Sequence, residues 1–310
     1  TWSRRGDLVE ARGDLVEARG DLIEARGDLV EARGGRALAE ASAAVHREGT
    51  SVKKLAVSGL CKTNNQLLYD AEVQYRSLEF LRSRVLESHD QPWFLHVSYT
   101  QPHEAYQSVP EYWGRYDDTE IALPRIPADE APHPTTEWLH IHHGIDQAPP
   151  CDDTIRASRR AYYAMISHLD DYVGELVAEL KHLGLYDDTV IVFTSDHGDM
   201  LGERGMWFKR SFYQGSLQVP MIWHNPKRIA PGRRAECVSL ADLCPTFAEL
   251  GGARETSDRY GSDQSGSFLG LLMARSDSVK DEAIAEYFGP GVIEPWLAIR
   301  QGDFKYAWTR

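Results

Sequence analysis

The sequence contains no run of eighteen apolar residues, the least that spans a bilayer as a helix, and no apolar core near its first residues of the kind an export signal carries. The expectation is a cytoplasmic chain without a membrane span. Basic residues are not in excess either: 34 Lys and Arg against 47 Asp and Glu leave a net charge of −13. That balance excludes nucleic acid and anionic membrane as electrostatic partners and leaves room for a cationic ligand. Cysteine is scarce. Cys61, Cys151, Cys237 and Cys244 show no C-x-x-C spacing, which argues against a zinc site or a disulfide framework and for reduced structural thiols, none of them a nucleophile. What is present is a 310-residue chain, 42% apolar, enough for one large α/β domain with a smaller appendage.

Residues 5 to 32 are four copies of a seven-residue unit, RGDLVEA, with Ile23 replacing one Val. The tandem repeat invites a coiled-coil reading, but its apolar stripe is narrow. Gly6, Gly13, Gly20 and Gly27 each cost a helix about 1 kcal/mol relative to Ala. Residues 1–50 are therefore expected to be a frayed helix or disordered linker, with the globular part in 51–252 and a C-terminal subdomain in 253–310.

Periodicity predicts a helix over 70–89, docked by Val73, Leu78, Leu81 and Val85, with Asp70 as its N-cap. Pro92 ends it, and 93–99 reads as a strand running into Thr100-Gln101-Pro102-His103. Residues 104–153 have no clear period and read as a surface excursion; His133, His140, His142 and His143 within it have no acidic or Cys partner ordered with them, which argues against a metal cluster. A long amphipathic helix follows over 154–184, closed by Gly184. Residues 239–250 read as a helix in which Asp242 fixes loop geometry, and 297–308 around Gln301-Gly302-Asp303 as a hairpin. The strands at 93–99, 189–193 and 219–223 are expected to be neighbours in one mixed sheet.

The richest stretch is 190–224, VIVFTSDHGDMLGERGMWFKRSFYQGSLQVPMIWH. Val190 to Phe193 suits a strand buried on both faces and passes directly into Ser195-Asp196-His197-Gly198-Asp199. In open α/β sheets ligands gather beyond the carboxyl ends of strands, so the Asp-His pair stands where a metal or an oxyanion would be handled. Lys209 follows as a point charge suited to a sulfuryl or phosphoryl oxygen.

This order of strand, Ser-Asp-His-Gly-Asp, Met-Leu-Gly-Glu-Arg-Gly, Trp-Phe-Lys, Gly-Ser and Val-Pro resembles the sulfatase family of the alkaline-phosphatase-like superfamily, above all its choline-sulfatase branch, from about Asn65 to Tyr306. The resemblance implies an α/β fold, a mixed sheet flanked by helices, incomplete at the N-terminus and with a small C-terminal α+β piece. It assigns Asp196 and His197 to a divalent cation, calcium first, with manganese or magnesium as alternatives. It assigns Lys209 and His103 to the sulfate ester, His103 helping the departing oxygen. Glu286, in Ala285-Glu286-Tyr287, stands where that branch has a Glu thought to face a trimethylammonium group. Gln214 and Gln101 stand where the pattern commonly has Glu and His.

The family makes its nucleophile by oxidising the Cys of a C-x-[PA]-S-R motif to formylglycine, and none of the four cysteines lies in that motif. The family's N-terminal Asp-Asp pair of metal ligands is also absent. Two protein ligands are too few for a hard dication that takes six or more oxygens. The expectation is thus a sulfuric ester hydrolase by resemblance, acting on a small sulfate ester such as choline sulfate, present here as a fragment without turnover of its own. A phosphonate or phosphodiester hydrolase of the same superfamily and a non-catalytic truncated paralogue or gene-model fragment are the alternatives. Self-association into a homo-oligomer is left open.

Overall fold

A computed structural model describes residues 51–86, 92–253, 265–275 and 280–309. The heptad repeat and the boundary set for residues 1–50 lie outside the described residues. Among those described, no helix is long and apolar enough to cross a membrane.

Helix α1 (Asn65–Leu86) begins earlier than its apolar spacing suggests, because Asn64 Oδ1 accepts the Leu67 amide at 2.8 Å and caps the first turn. Asp70 is therefore not an N-cap. It lies within the helix on a buried stripe of Leu67, Asp70, Gln74, Ser77 and Leu81, and its carboxylate reaches across to the neighbouring chain. Asp70 Oδ1 accepts the Thr100 amide at 2.7 Å and its hydroxyl at 3.0 Å, while Oδ2 accepts the Gln101 amide at 3.0 Å. The helix thus fixes the backbone that leads into His103.

Helix α2 (Pro110–Trp113) and helix α3 (Pro134–His143) punctuate the excursion. Helix α4 (Asp152–His182) is the long amphipathic element, ended by Gly184 in the left-handed region at φ 71°. It lies beside α1, where Gln74 Nε2 donates to Tyr172 O at 3.2 Å and Arg82 pairs with Glu179 at 2.7 Å. The small residues Ala161 and Ala164 let α4 approach closely. Ala161 and Met165 pack with Leu55, Tyr106, Trp207 and Phe208 in one core cluster.

Three separate sheets form among the described residues. Strand β1 (Gly59–Leu60) runs parallel to β2 (Gln107–Ser108); β3 (Ile191–Thr194) runs antiparallel to β4 (Met221–His224); β5 (Glu282–Tyr287), β6 (Trp296–Gln301) and β7 (Phe304–Thr309) form an antiparallel sheet. The expected β3–β4 pairing and the C-terminal hairpin are present. The α/β fold expected above is present, but residues 93–99 join no ladder among the described residues, which corrects their expected place beside β3 and β4. They keep the alternating burial of a strand, held by side chains instead of main-chain bonds. Trp93 meets Phe80, Phe94 meets Phe247 and Tyr99 stacks on Tyr172.

Helix α5 (Gln214–Leu217) leads into β4, and helix α6 (Leu243–Leu250) follows a 3-10 turn at Leu240–Asp242. There Asp242 Oδ2 accepts the Ser239 amide at 2.7 Å and Oδ1 accepts the Gly266 amide at 2.9 Å, so Asp242 ties loops together. A short helix α7 (Leu269–Leu272) precedes the last sheet. That sheet shares a core with the centre of the chain, where Trp296 and Ala298 pack with Leu139, Met200, Met206 and Phe212.

Candidate functional site

Two loops make the site. The first follows Gln101 and carries His103 and Glu104; the second follows β3 and runs from Ser195 to Lys209. They are stitched together where the Tyr106 hydroxyl donates to Asp199 Oδ2 at 2.6 Å. Asp199 Oδ1 also accepts the Leu201 and Phe208 amides, at 2.9 and 3.2 Å. Burial raises the pKa of Asp199 above that of an ordinary carboxylate, and the Tyr106 bond opposes the shift. Burial and the Asp199 charge push the Tyr106 hydroxyl well up, so it stays the donor.

Gly198 is where the second loop crosses the chain before β4. A Cβ there would sit 2.1 Å from Gly215 O and 3.0 Å from Gln218 O, and the Gly198 amide donates to Ser216 O at 2.9 Å. Lys209 is held between Phe208 at φ 66° and Arg210 at φ 81°, left-handed positions that cost side chains other than glycine energy and are retained where surrounding packing fixes them. Phe208 is fully buried.

The result is a cluster around one carboxylate. Lys209 Nζ lies 3.1 Å from His103 Nε2 and 3.7 Å from Glu104 Oε2, across 106 residues of sequence in the first case. Lys54 Nζ, from the 3-10 turn Val52–Val57, lies 3.4 Å from Glu104 Oε1. His103 Nδ1 is 2.8 Å from the Glu104 carbonyl and 3.3 Å from Oε2. Gln66 Nε2 donates to the same carbonyl at 3.1 Å. The Glu104 side chain is only 2% exposed, against 43% for His103, 20% for Lys209 and 36% for Lys54. Two cations and an imidazole therefore face solvent over a buried negative charge.

His103 and Lys209, both named from sequence, are brought together. Asp196 and His197 stand at the start of the second loop, with Asp196 Oδ2 3.5 Å from His197 Nε2. The Asp196 carboxylate also accepts the His197 amide at 2.9 Å, and His197 Nδ1 faces Gly198 O at 2.8 Å, so both ring nitrogens face an accepting oxygen. An Asp-His pair has the chemistry of metal ligands, but the donor set falls short. No group of three or more His, Cys, Asp or Glu able to hold a metal forms among the described residues, and two donors fall short of what a hard dication requires. Glu286 lies on β5 opposite Leu297 with its side chain exposed, and Ala285 and Tyr287 on either side pack into the core. Among the described residues no hydrogen bond or ion pair joins Glu286 to His103 or Lys209.

Sequence reading missed Glu104 and Lys54. Glu104 had a signal, an acid directly after a Pro-His pair. Lys54 had none, since a 3-10 turn of ordinary composition delivers it.

Two histidines of α3 are taken up by contacts within the protein. Arg210 Nη1 lies 2.7 Å from His142 Nε2, and His143, 1% exposed, packs edge-on to Phe208 with neither ring nitrogen hydrogen-bonded. Burial first, then the neighbouring His142 and Arg210, hold the His143 pKa well below 6.5; burial also lowers that of His140. A group with a depressed folded pKa contributes stability that is present above its unfolded pKa and lost as pH falls toward the folded one. Between pH 7 and pH 5 the exclusion of one proton from His143 should cost about 2 kcal/mol of folding stability. His143→Phe should flatten that part of a urea-midpoint profile against pH; an unchanged profile would rule it out.

Comparisons with known proteins show the family. The Sulfatase family model matches residues 48–253, and the model for the C-terminal part of N-sulphoglucosamine sulphohydrolase matches residues 202–307. The choline-sulfatase of Rhizobium meliloti (strain 1021) is 37% identical over 257 residues, covering 81% of this chain and 49% of that protein. Arylsulfatase K of Xenopus laevis is 32% identical over 207 residues, covering 63% of this chain and 38% of that protein. Among solved structures, the phosphonate monoester hydrolase of Silicibacter pomeroyi superposes with a TM-score of 0.60 at 24% identity, over 75% of this chain and 50% of that one. This chain thus spans about half the length of the curated choline-sulfatase that it matches, or less for the arylsulfatase. Sulfatases generally use a divalent cation and a formylglycine. With the family model covering 48–253, the second loop and the first both inside it, the chain belongs to the sulfatase family.

Proposed function

We propose that this chain carries the oxyanion-holding part of a sulfuric ester hydrolase of choline-sulfatase type, the reaction being choline sulfate to choline plus sulfate. The observation that supports it is the meeting of Lys209 and His103 at 3.1 Å on a buried carboxylate. In this reading Lys209 neutralises a sulfuryl oxygen, His103 faces the ester oxygen that departs, and Glu286 answers the trimethylammonium group. The family's cation, calcium first, would draw on Asp196 and His197 together with ligands beyond those two. The four free thiols suit a reducing compartment, and we place the protein in the cytoplasm.

Within the 310 residues there is no cysteine in a C-x-[PA]-S-R setting to become formylglycine. The chain as it stands should therefore bind the ester without hydrolysing it. Purified protein is expected to release no sulfate from choline sulfate or an aryl sulfate. Calorimetric binding of choline sulfate should weaken about tenfold or more in Lys209→Ala, a loss that one charge-assisted contact accounts for. Metal-dependent turnover that disappears in Asp196→Ala would reject the expectation. A phosphonate monoester as substrate is the second reading, favoured by the likeness in fold to the Silicibacter pomeroyi enzyme. Tighter binding of a phosphonate monoester than of choline sulfate would decide for it.

A further inference from the structure

We propose that Glu104 sets the charge of the anion this site accepts, favouring singly charged esters over doubly charged phosphate monoesters; this rests on the cluster being the oxyanion site proposed above. The argument is one of charge and exposure. Lys54 Nζ, Lys209 Nζ and His103 Nδ1 all lie within 4 Å of the Glu104 carboxylate. His103 Nδ1 faces two oxygens that can only accept, so Nδ1 bears the hydrogen. Nε2 faces the Lys209 ammonium, which can only donate, so Nε2 presents its lone pair. The imidazole is therefore neutral in this arrangement.

Two ammonium groups and one carboxylate leave a surplus of one positive charge. Two further charges next to these residues are one of each sign. Asp199 is the carboxylate whose field reaches both Glu104 and Lys209, and Arg210 follows Lys209 in sequence and holds His142. They leave the surplus unchanged. A sulfate monoester or a phosphodiester carries one negative charge and matches it; a phosphate monoester above neutral pH carries close to two.

Glu104 exerts this selection without contact. At 2% exposure its carboxylate offers no surface to a ligand, whereas the two lysines and the imidazole are open. An anion held by the lysines thus meets the field of Glu104 only a few ångströms behind them, in surroundings less screening than bulk water. That field acts twice as strongly on a dianion as on a monoanion. Its effect is on the ratio of affinities, more than on either alone.

The test compares methyl sulfate and dimethyl phosphate, both monoanions, with methyl phosphate at pH 8, following side-chain resonances of the intact chain in NMR titrations. Wild-type protein should favour the monoanions. Glu104→Gln raises the surplus to two and should move the methyl phosphate to methyl sulfate affinity ratio by about tenfold or more toward methyl phosphate, tenfold being ~1.4 kcal/mol. Lys54→Gln, a change at a partly exposed side chain, removes the surplus and should weaken both anions, the dianion more. A folded Glu104→Gln with an unchanged ratio overturns the inference. If that variant does not fold, equal weakening of all three anions in Lys54→Gln overturns it. Failure of wild-type protein to bind any of the three would instead overturn the oxyanion site itself.

Discussion

Asp70→Ala should destabilise the chain by about 3–5 kcal/mol, measured as a fall in the urea midpoint at constant m-value. The carboxylate is fully buried and accepts hydrogen bonds from the Thr100 amide, the Thr100 hydroxyl and the Gln101 amide. Removing it strands donors in the interior, and each buried donor left without a partner costs about 1–3 kcal/mol. Asp70→Asn should recover little, because the amide replaces one accepting oxygen by a group that donates toward donors. The His103 ring signals should shift in both variants, since the clamped backbone lies two residues upstream. A loss below about 1 kcal/mol in Asp70→Ala would show that the loop before His103 is fixed by something else.

Gly198→Ala should be nearly as damaging, at about 3 kcal/mol. The added methyl would meet two backbone carbonyls, at 2.1 and 3.0 Å, and main chain cannot step aside as a flexible side chain does. Relief would separate the Ser195–Asp199 loop from residues 215–218 and break the Gly198 amide bond to Ser216. Asp196 and His197 would move with it. Circular dichroism melting reads the stability loss, and a midpoint unchanged within error would mean the two segments are looser than drawn.

Local pattern carried much of the fold. The amphipathic period over 154–184 found α4 to within about two residues, and alternation around Gln301-Gly302-Asp303 found the β6–β7 hairpin, because both are set by neighbours close in sequence. Asp70 misled because an acid before an apolar stripe has the chemistry of a cap. What decides is which residue stands just before the first turn, and that is Asn64, six residues earlier. Residues 93–99 gave an extended backbone from composition alone, but a ladder depends on a distant partner that composition does not name. In the site the same division holds. Ser-Asp-His-Gly-Asp and Lys209 were legible as a motif, and the Pro-His pair gave His103. Lys54 and Glu104 became meaningful only through a contact spanning 50 residues.

The spacing of those contacts has a consequence in time. Lys54 and Glu104 are 50 residues apart, and His103 and Lys209 are 106 apart. At roughly 5–20 residues per second of synthesis, Lys209 leaves the ribosome about 5–20 s after His103. Helices form in about a microsecond or less, so α1 and the loop that Asp70 holds have ample time to settle first. During that interval the Glu104 carboxylate has Lys54 as its available cation. The second loop is made last, so Lys209 joins a carboxylate that Lys54 has been able to reach throughout that interval.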